Sequence, residues 1–183
     1  MKVYTEIPKT LPTLALTIGT FDGVHLGHQA LLKALKAKGA PAAVLTFATH
    51  PLEILRPPAP LWICSLDERL KFFEECGVDI AIAIPFSADL AATPYDAFLS
   101  QFPLRHLLLG EGDTLGKNRQ GNRETLAAYA EKNNFSFEYY PKLWLEGQII
   151  SSTRIRAAIA SNDLSLASRL LGRTQPLEAT HVY

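Results

Sequence analysis

Two histidines, His25 and His28, flank the dipeptide Leu26-Gly27 in the stretch GTFDGVHLGH that begins at Gly19. Imidazoles this close along a chain serve as metal ligands, as buried polar contacts, or as hydrogen-bond donors to a phosphate. A zinc site needs a third and usually a fourth protein ligand. His50, His106 and His181 make no recognisable set with the pair, so no metal ligand is assigned. The stretch leaves an apolar run and enters a helix-type pattern, and a helix start offers free amide donors and a partial positive charge. Gly27 leaves the backbone bare between the rings, so an anion can approach while both imidazoles donate. Phosphate is the ligand this arrangement suits best.

A second cluster of the same character lies far along the chain, in ISSTRIR from Ile150. Ser151, Ser152 and Thr153 precede an amphipathic pattern whose open amides their hydroxyls can serve. The guanidinium groups of Arg154 and Arg156 match phosphate oxygens bidentately. Taken alone, the segment reads as a capped helix with a solvated arginine. Joined to the histidine pair, it implies two helix starts converging on one polyphosphate.

Loops of this kind need strands and helices in alternation to position them. Residues 14–20 read as a buried strand, and 27–39 as a helix with apolar residues at helical spacing and a glycine stop. Further strands are expected at 42–48, 79–85, 105–110 and 135–140. A helix is expected at 65–77, opened by Ser65 with Glu68 at the spacing for reciprocal capping. Another at 93–102 has Thr93 as its cap and Pro94 in the first helical position, and a third spans 122–134. Residues 51–60 are too rich in proline to continue either element and are expected as a surface loop. Residues 151–172 read as two helices broken around 161–163. The pattern predicts an α/β fold: a Rossmann-like, doubly wound parallel sheet of about five strands with a helical C-terminal cap, residues 1–183 forming one domain. Ligands of such sheets sit beyond the carboxyl ends of the strands, which is where residues 19–28 fall.

Composition narrows the partners. Hydrophobic residues make up 48% and charged residues 20% of the 183, an ordinary globular mixture. Eighteen basic residues balance eighteen acidic ones, so no global charge attracts nucleic acid or an anionic membrane. Cys64 and Cys76 are too sparse for a disulfide framework and are expected as reduced thiols. No apolar segment followed by a small-residue cleavage site opens the chain, and no stretch is long enough to span a bilayer. A cytoplasmic location is therefore expected. The sequence leaves the oligomeric state open.

The motifs GTFDGVHLGHQALL, TFATHP, GKNRQGN and ISSTRIR, followed by LASRLLGR, resemble in kind and order the FAD synthetase (FMN adenylyltransferase) module of bacterial bifunctional riboflavin kinase/FAD synthetases. That module belongs to the HxGH nucleotidylyltransferase superfamily, and the resemblance runs from about Leu14 to Arg173. It implies that the phosphate of FMN is joined to the AMP part of ATP, with release of pyrophosphate. It places His25 and His28 on the ATP phosphates, and Ser152, Thr153 and Arg156 on the β and γ groups. Thr20, Phe21 and Asp22 line the floor between nucleotide and acceptor. Gly19, Gly27, Ser151, Phe47, His50, Pro51 and Gly110 complete the implied binding positions. Mg2+ is expected on the ATP phosphates, keeping several waters rather than a protein cage. ATP and FMN are the expected partners, and no riboflavin kinase domain is expected within these residues.

Two segments depart from the family pattern. Where it reads Phe-Glu-Pro-His-Pro, this chain has Phe47-Ala48-Thr49-His50-Pro51. Where it reads close to Gly-x-Asp-Phe-Arg-Phe-Gly, this chain has Gly110-Glu111-Gly112-Asp113-Thr114-Leu115-Gly116. Loss of aromatic faces there weakens an expected stacking surface for the flavin. Transfer to another phosphorylated acceptor, and nucleotide or flavin binding without turnover, are the two alternatives.

Overall fold

Side chains two apart on a strand share a face, and this rule sorts the core of the computed structural model, which describes residues 1–174, into two layers. The strands are β1 (Lys2–Tyr4), β2 (Leu14–Ile18), β3 (Ala42–Phe47), β4 (Ile80–Ile84), β5 (Leu104–Gly110) and β6 (Ser136–Tyr140). Leu14, Leu16 and Ile18 of β2 point to one face with Leu45 of β3, Ile82 of β4 and Leu107 of β5. Ala15, Val44, Ala81 and Leu108 point to the other. Helices α1 (Leu26–Lys36) and α3 (Leu66–Glu75) cover the face of smaller residues with Leu31, Leu32, Leu35 and Phe73. Helices α5 (Tyr95–Leu99) and α6 (Arg123–Lys132) cover the opposite face with Phe98, Leu99 and Leu126.

The five pairings within this six-stranded sheet are parallel, and the spatial order is β1-β4-β3-β2-β5-β6. The chain runs outward from β2 through β3 to β4, then returns to lay β5 on the other side of β2. The order reverses between β2 and β5, and the loops leaving these two strands part to open a crevice. A hairpin of β7 (Trp144–Leu145) and β8 (Gln148–Ile149) follows β6 and leads into α7 (Ser152–Ala160) and α8 (Leu164–Leu171). These last helices bury Ile155, Leu170 and Leu171 against Ile63 and Ile150, the expected helical cap. Among the described residues, no helix is long and apolar enough to cross a membrane.

The sheet has six strands rather than about five, because β1 adds to the edge by pairing Lys2, Val3 and Tyr4 with Ile80, Ala81 and Ile82. Residues 51–60 are not wholly loop. Pro51 opens a short helix, α2 (Pro51–Leu55), capped by His50, whose Nδ1 accepts the Leu52 N–H at 3.1 Å while Glu53 accepts the His50 N–H at 3.2 Å. A proline in the first turn starts a helix without losing a bond. The helix expected at 93–102 is instead shorter, spanning only α5 (Tyr95–Leu99), and a separate helix ends just before it. Thr93 closes α4 (Ala88–Ala92), its hydroxyl donating to Asp89 O at 2.8 Å, and Pro94 precedes α5 without a side-chain cap. The capping box of Ser65 and Glu68 forms as expected.

Helix α8 ends at Gly172, which takes the left-handed conformation (φ 70°) and donates its N–H to Ser168 O at 2.9 Å. A Cβ at this position would lie 2.3 Å from Leu26 Cδ2. Gly172→Ala is therefore expected to lower stability by about 1–2 kcal/mol from the left-handed conformation alone, read as a shift of the urea midpoint. An unchanged midpoint would show that this turn is not held against α1.

Candidate active site

The turn between β2 and α1 is built from residues in unusual conformations. Phe21 (φ 52°), Gly23 (φ 78°) and Val24 (φ 37°) all have positive φ, which a β-branched residue such as valine rarely accepts. Such backbone persists only where its surroundings over-determine it. Here Asp22, 2% exposed, supplies much of the restraint: its carboxylate accepts N–H bonds from Ile63 at 2.9 Å and Cys64 at 3.4 Å, and pairs with the Arg156 guanidinium. Gly23 N–H donates to Cys64 Sγ at 3.2 Å, and the Ser152 hydroxyl donates to Asp22 O at 2.9 Å. The start of α7 is thereby tied to the start of α1, joining the two clusters that lie far apart along the chain.

His25 is the N-cap of α1, its Nδ1 accepting the His28 N–H at 3.3 Å. The neutral His25 ring therefore carries its proton on Nε2. The two imidazoles stack with centroids 3.6 Å apart and planes 15° from parallel, and Phe21 meets His28 edge-on at 5.1 Å. A Cβ on Gly27 would stand 3.1 Å from His25 Cε1, so glycine lets the ring fold over the first turn. Nδ1 of His28 is sealed from water without a partner, which leaves Nε2 as its useful nitrogen.

Burial pushes the His25 imidazole down to about 4, with the nearby Arg173 charge adding to the effect and a backbone hydrogen bond opposing it. Burial, then the adjacent His25, hold His28 well below the usual histidine range. Both rings are neutral near pH 7. Desolvation raises Asp22 even against the pull of Arg156 and the Ile63 and Cys64 amides. The Cys64 thiol is pushed up to about 12 by burial and the Asp22 charge, which removes it as a nucleophile.

A cleft of about 860 Å³ opens at the carboxyl ends of β2, β3 and β5. Gly19, Thr20, Phe21, Asp22, His25, Gly27, His28, Phe47, Pro51, Gly110, Ser151 and Ser152 line it. Three expected positions are not on its wall. Thr153 is exposed on α7. His50 is buried as the α2 cap with its ring edge on Trp62 at 4.9 Å. Arg156 spends its donors on Asp22 and on Leu61 O at 2.7 Å, one carboxylate behind the cleft.

The cleft also has walls that the motifs do not mark. Leu55 of α2, Leu90 and Ala91 of α4, and Phe86 make an apolar side with Phe47, whose ring meets Phe86 edge-to-face at 5.1 Å. Leu55, Leu90 and Ala91 carry no sequence signal beyond apolar character inside two helices too short to show a period, and Phe86 lies in the connection before α4. Glu111, Asp113, Arg119 and Lys142 add charged groups to the lining. Asp113 turns back on Gly110, accepting its N–H at 3.2 Å while its own N–H reaches Gly110 O at 2.9 Å. Leu115 is buried and bonded in both directions to Gly121. Polar floor, apolar side and charged groups together suit a ligand with both phosphates and a planar ring. Among the described residues, no three His, Cys, Asp or Glu side chains converge as a metal cage, and His181 lies outside those residues.

Known proteins resemble this chain in sequence and fold. The sequence model of the FAD synthetase family matches residues 7–154. A bifunctional riboflavin kinase/FMN adenylyltransferase of Haemophilus influenzae is 38% identical over 175 residues, covering 90% of this chain and 57% of the relative. The Escherichia coli protein of the same description is 35% identical over 167 residues, covering 86% and 53%. The chain thus spans about half the length of these curated relatives. A crystal structure described as a macrolide-efflux protein from Streptococcus pneumoniae superposes with a TM-score of 0.78 at 27% identity, over 94% of this chain and 61% of that one.

The buried neutral histidines couple stability to pH. An unfolded histidine titrates near 6.5, so below that value the unfolded state binds more protons than the fold. Stability is full above 6.5 and falls as pH drops toward about 4 for His25. His25→Asn retains a capping oxygen and removes the titration. Urea unfolding from about pH 7 to about pH 5 should show a shallower loss in this variant, the difference approaching about 1 kcal/mol per pH unit. Asp22 and Asp113, both raised, act with the opposite sign and cancel in the comparison. Equal slopes would show that His25 is not neutral in the fold.

Proposed function

The chain belongs to the FAD synthetase family, and from that premise we propose that it transfers the adenylyl group of ATP to FMN, giving FAD and pyrophosphate. The observation that carries this reading is the convergence of the stacked imidazoles and the start of α7 on one cleft with an apolar side. A phosphate oxygen of FMN attacks the α-phosphorus of ATP, the new P–O bond forms, and the bond to the β-phosphate breaks as pyrophosphate leaves. That oxygen is already anionic near neutral pH, so the step needs neither a side-chain nucleophile nor a strong base. It needs two anions held in line and charge stabilised on the departing group.

His25 and His28 are neutral Nε2–H donors to the triphosphate in this reading, at the positive end of α1. Ser151 and Ser152 present the open start of α7, with the first-turn amides of Ser152 and Thr153, to the β and γ groups. Arg156, held on Asp22 behind the wall, adds positive charge facing those phosphates. Gly19, Thr20, Phe21 and Gly27 leave room for the phosphates, and Gly110 borders the charged groups. The flavin ring lies against Phe47, Phe86 and Leu90, with Pro51 at its edge and His50 fixing α2 behind it. Nucleotidyl transfer from ATP generally uses a divalent ion, and Mg2+ is our assignment. It arrives on the phosphates as part of the substrate, consistent with a cleft whose Asp22 is already paired.

A second reading rests on Asp113. Its carboxyl group stands on the cleft wall, where the family pattern has an aromatic ring, and this favours a phosphorylated acceptor with hydrogen-bond donors. A panel of acceptors followed by pyrophosphate release decides between the readings, since a best rate with FMN removes the second.

Purified protein incubated with ATP, Mg2+ and FMN should produce FAD detectable by chromatography. His28→Ala should lose about 100-fold or more in kcat while keeping its circular dichroism, because donors aimed at the transition state are removed. Absence of FAD at high enzyme concentration would overturn the assignment.

A further inference from the structure

The LLGR segment that closes α8 lies behind the cleft rather than on its wall. Arg173 Nη2 donates to Gly23 O at 2.6 Å, and Nη1 to Val24 O at 3.2 Å and Leu171 O at 3.4 Å. Its guanidinium lies over the Phe72 ring of α3 at 3.7 Å. Gln29 Nε2 strengthens the same strap, reaching Val24 O at 2.9 Å and Leu171 O at 2.8 Å. Gly23 and Val24 are two of the positive-φ residues that deliver the chain to His25. Their carbonyls therefore point away from the cleft, into a rigid fork of donors that an ammonium group cannot reproduce.

We propose that Arg173 is a positioning residue for the imidazole pair: it fixes the Gly23 and Val24 carbonyls so that His25 and His28 stand stacked over the first turn of α1. Asp22 holds the turn from the side of residues 61–64 and α7, and Arg173 holds it from the side of α3 and α8. Arg173 touches no cleft surface, so its loss acts on the placement of the rings and leaves the binding walls in place.

The kinetic arm of the test rests on the adenylyl-transfer reading; the spectroscopic arm does not. Wild type, Arg173→Met and Arg173→Lys are compared with MgATP and FMN. Arg173→Met keeps the stem over Phe72 and removes every donor. Its kcat should fall by about 10- to 100-fold, with both KM values within roughly threefold, because misplacement of a group near the chemistry is felt in turnover. Arg173→Lys should recover part of the loss, and it carries the same comparison if Arg173→Met does not fold. In ligand-free protein the imidazole resonances of His25 and His28 should move, while those of His106 at the far end of the sheet stay. A kcat within about twofold of wild type, a loss accounted for by the unfolded fraction, or unmoved His25 and His28 resonances would each overturn the proposal. Should wild type make no FAD, the adenylyl-transfer reading fails, and the imidazole resonances still decide the role of Arg173.

Discussion

A carboxylate removed from water must be satisfied by donors or charge, and the burial of Asp22 sets this demand at the centre of the molecule. Two remote segments answer it, residues 63–64 with the amides of Ile63 and Cys64 and α7 with the guanidinium of Arg156, while the Ser152 hydroxyl of α7 also donates to the Asp22 carbonyl. The strained turn from Phe21 to Val24 is affordable only because these partners close on it. Removing any one leaves a buried charge or an open helix start, so the turn, the stacked histidines and the mouth of α7 form one unit.

The electrostatics of this unit suit the anionic substrate proposed for it. The imidazoles are neutral, and full positive charges stand behind the cleft wall at Arg156, Arg173 and Arg69. Arg69 is buried under the cleft floor with its Nη1 on Thr20 O, Thr46 Oγ1 and Phe47 O, and its face over Trp62 at 4.2 Å. It ties the exits of β2 and β3 together from below. Positive charge held behind a wall of neutral donors attracts phosphate without committing a surface side chain to it.

Much of the fold was legible because its signals are local. The apolar runs of β2 to β5 announce strands buried on both faces, Ser65 and Glu68 announce a helix start, and the break at 161–163 separates α7 from α8. The histidine pair was legible for the same reason, since a capping imidazole and a bare glycine are properties of four consecutive residues. What was not legible depends on distance or on short length. Three residues of β1 carry no period, and α2 and α4 are too brief to show one, so the apolar side of the cleft stayed hidden. Thr93 and Pro94 read as a helix opening, yet Thr93 bonds backwards to Asp89, a choice only the packed chain makes. The engagement of Arg156 with Asp22 spans more than half the chain, and nothing in its neighbours foretells it.

The topology also fixes the order in which the site can come into being. The turn that presents His25 is synthesised well before its partners Ser152, Arg156 and Arg173, which lie far along the chain from it. Until α7 and α8 dock, the nascent sheet has its central strand, but the turn lacks the contacts from Ser152, Arg156 and Arg173 that hold it. The restraints on the histidine turn are therefore complete only once α7 and α8 have been made and have docked.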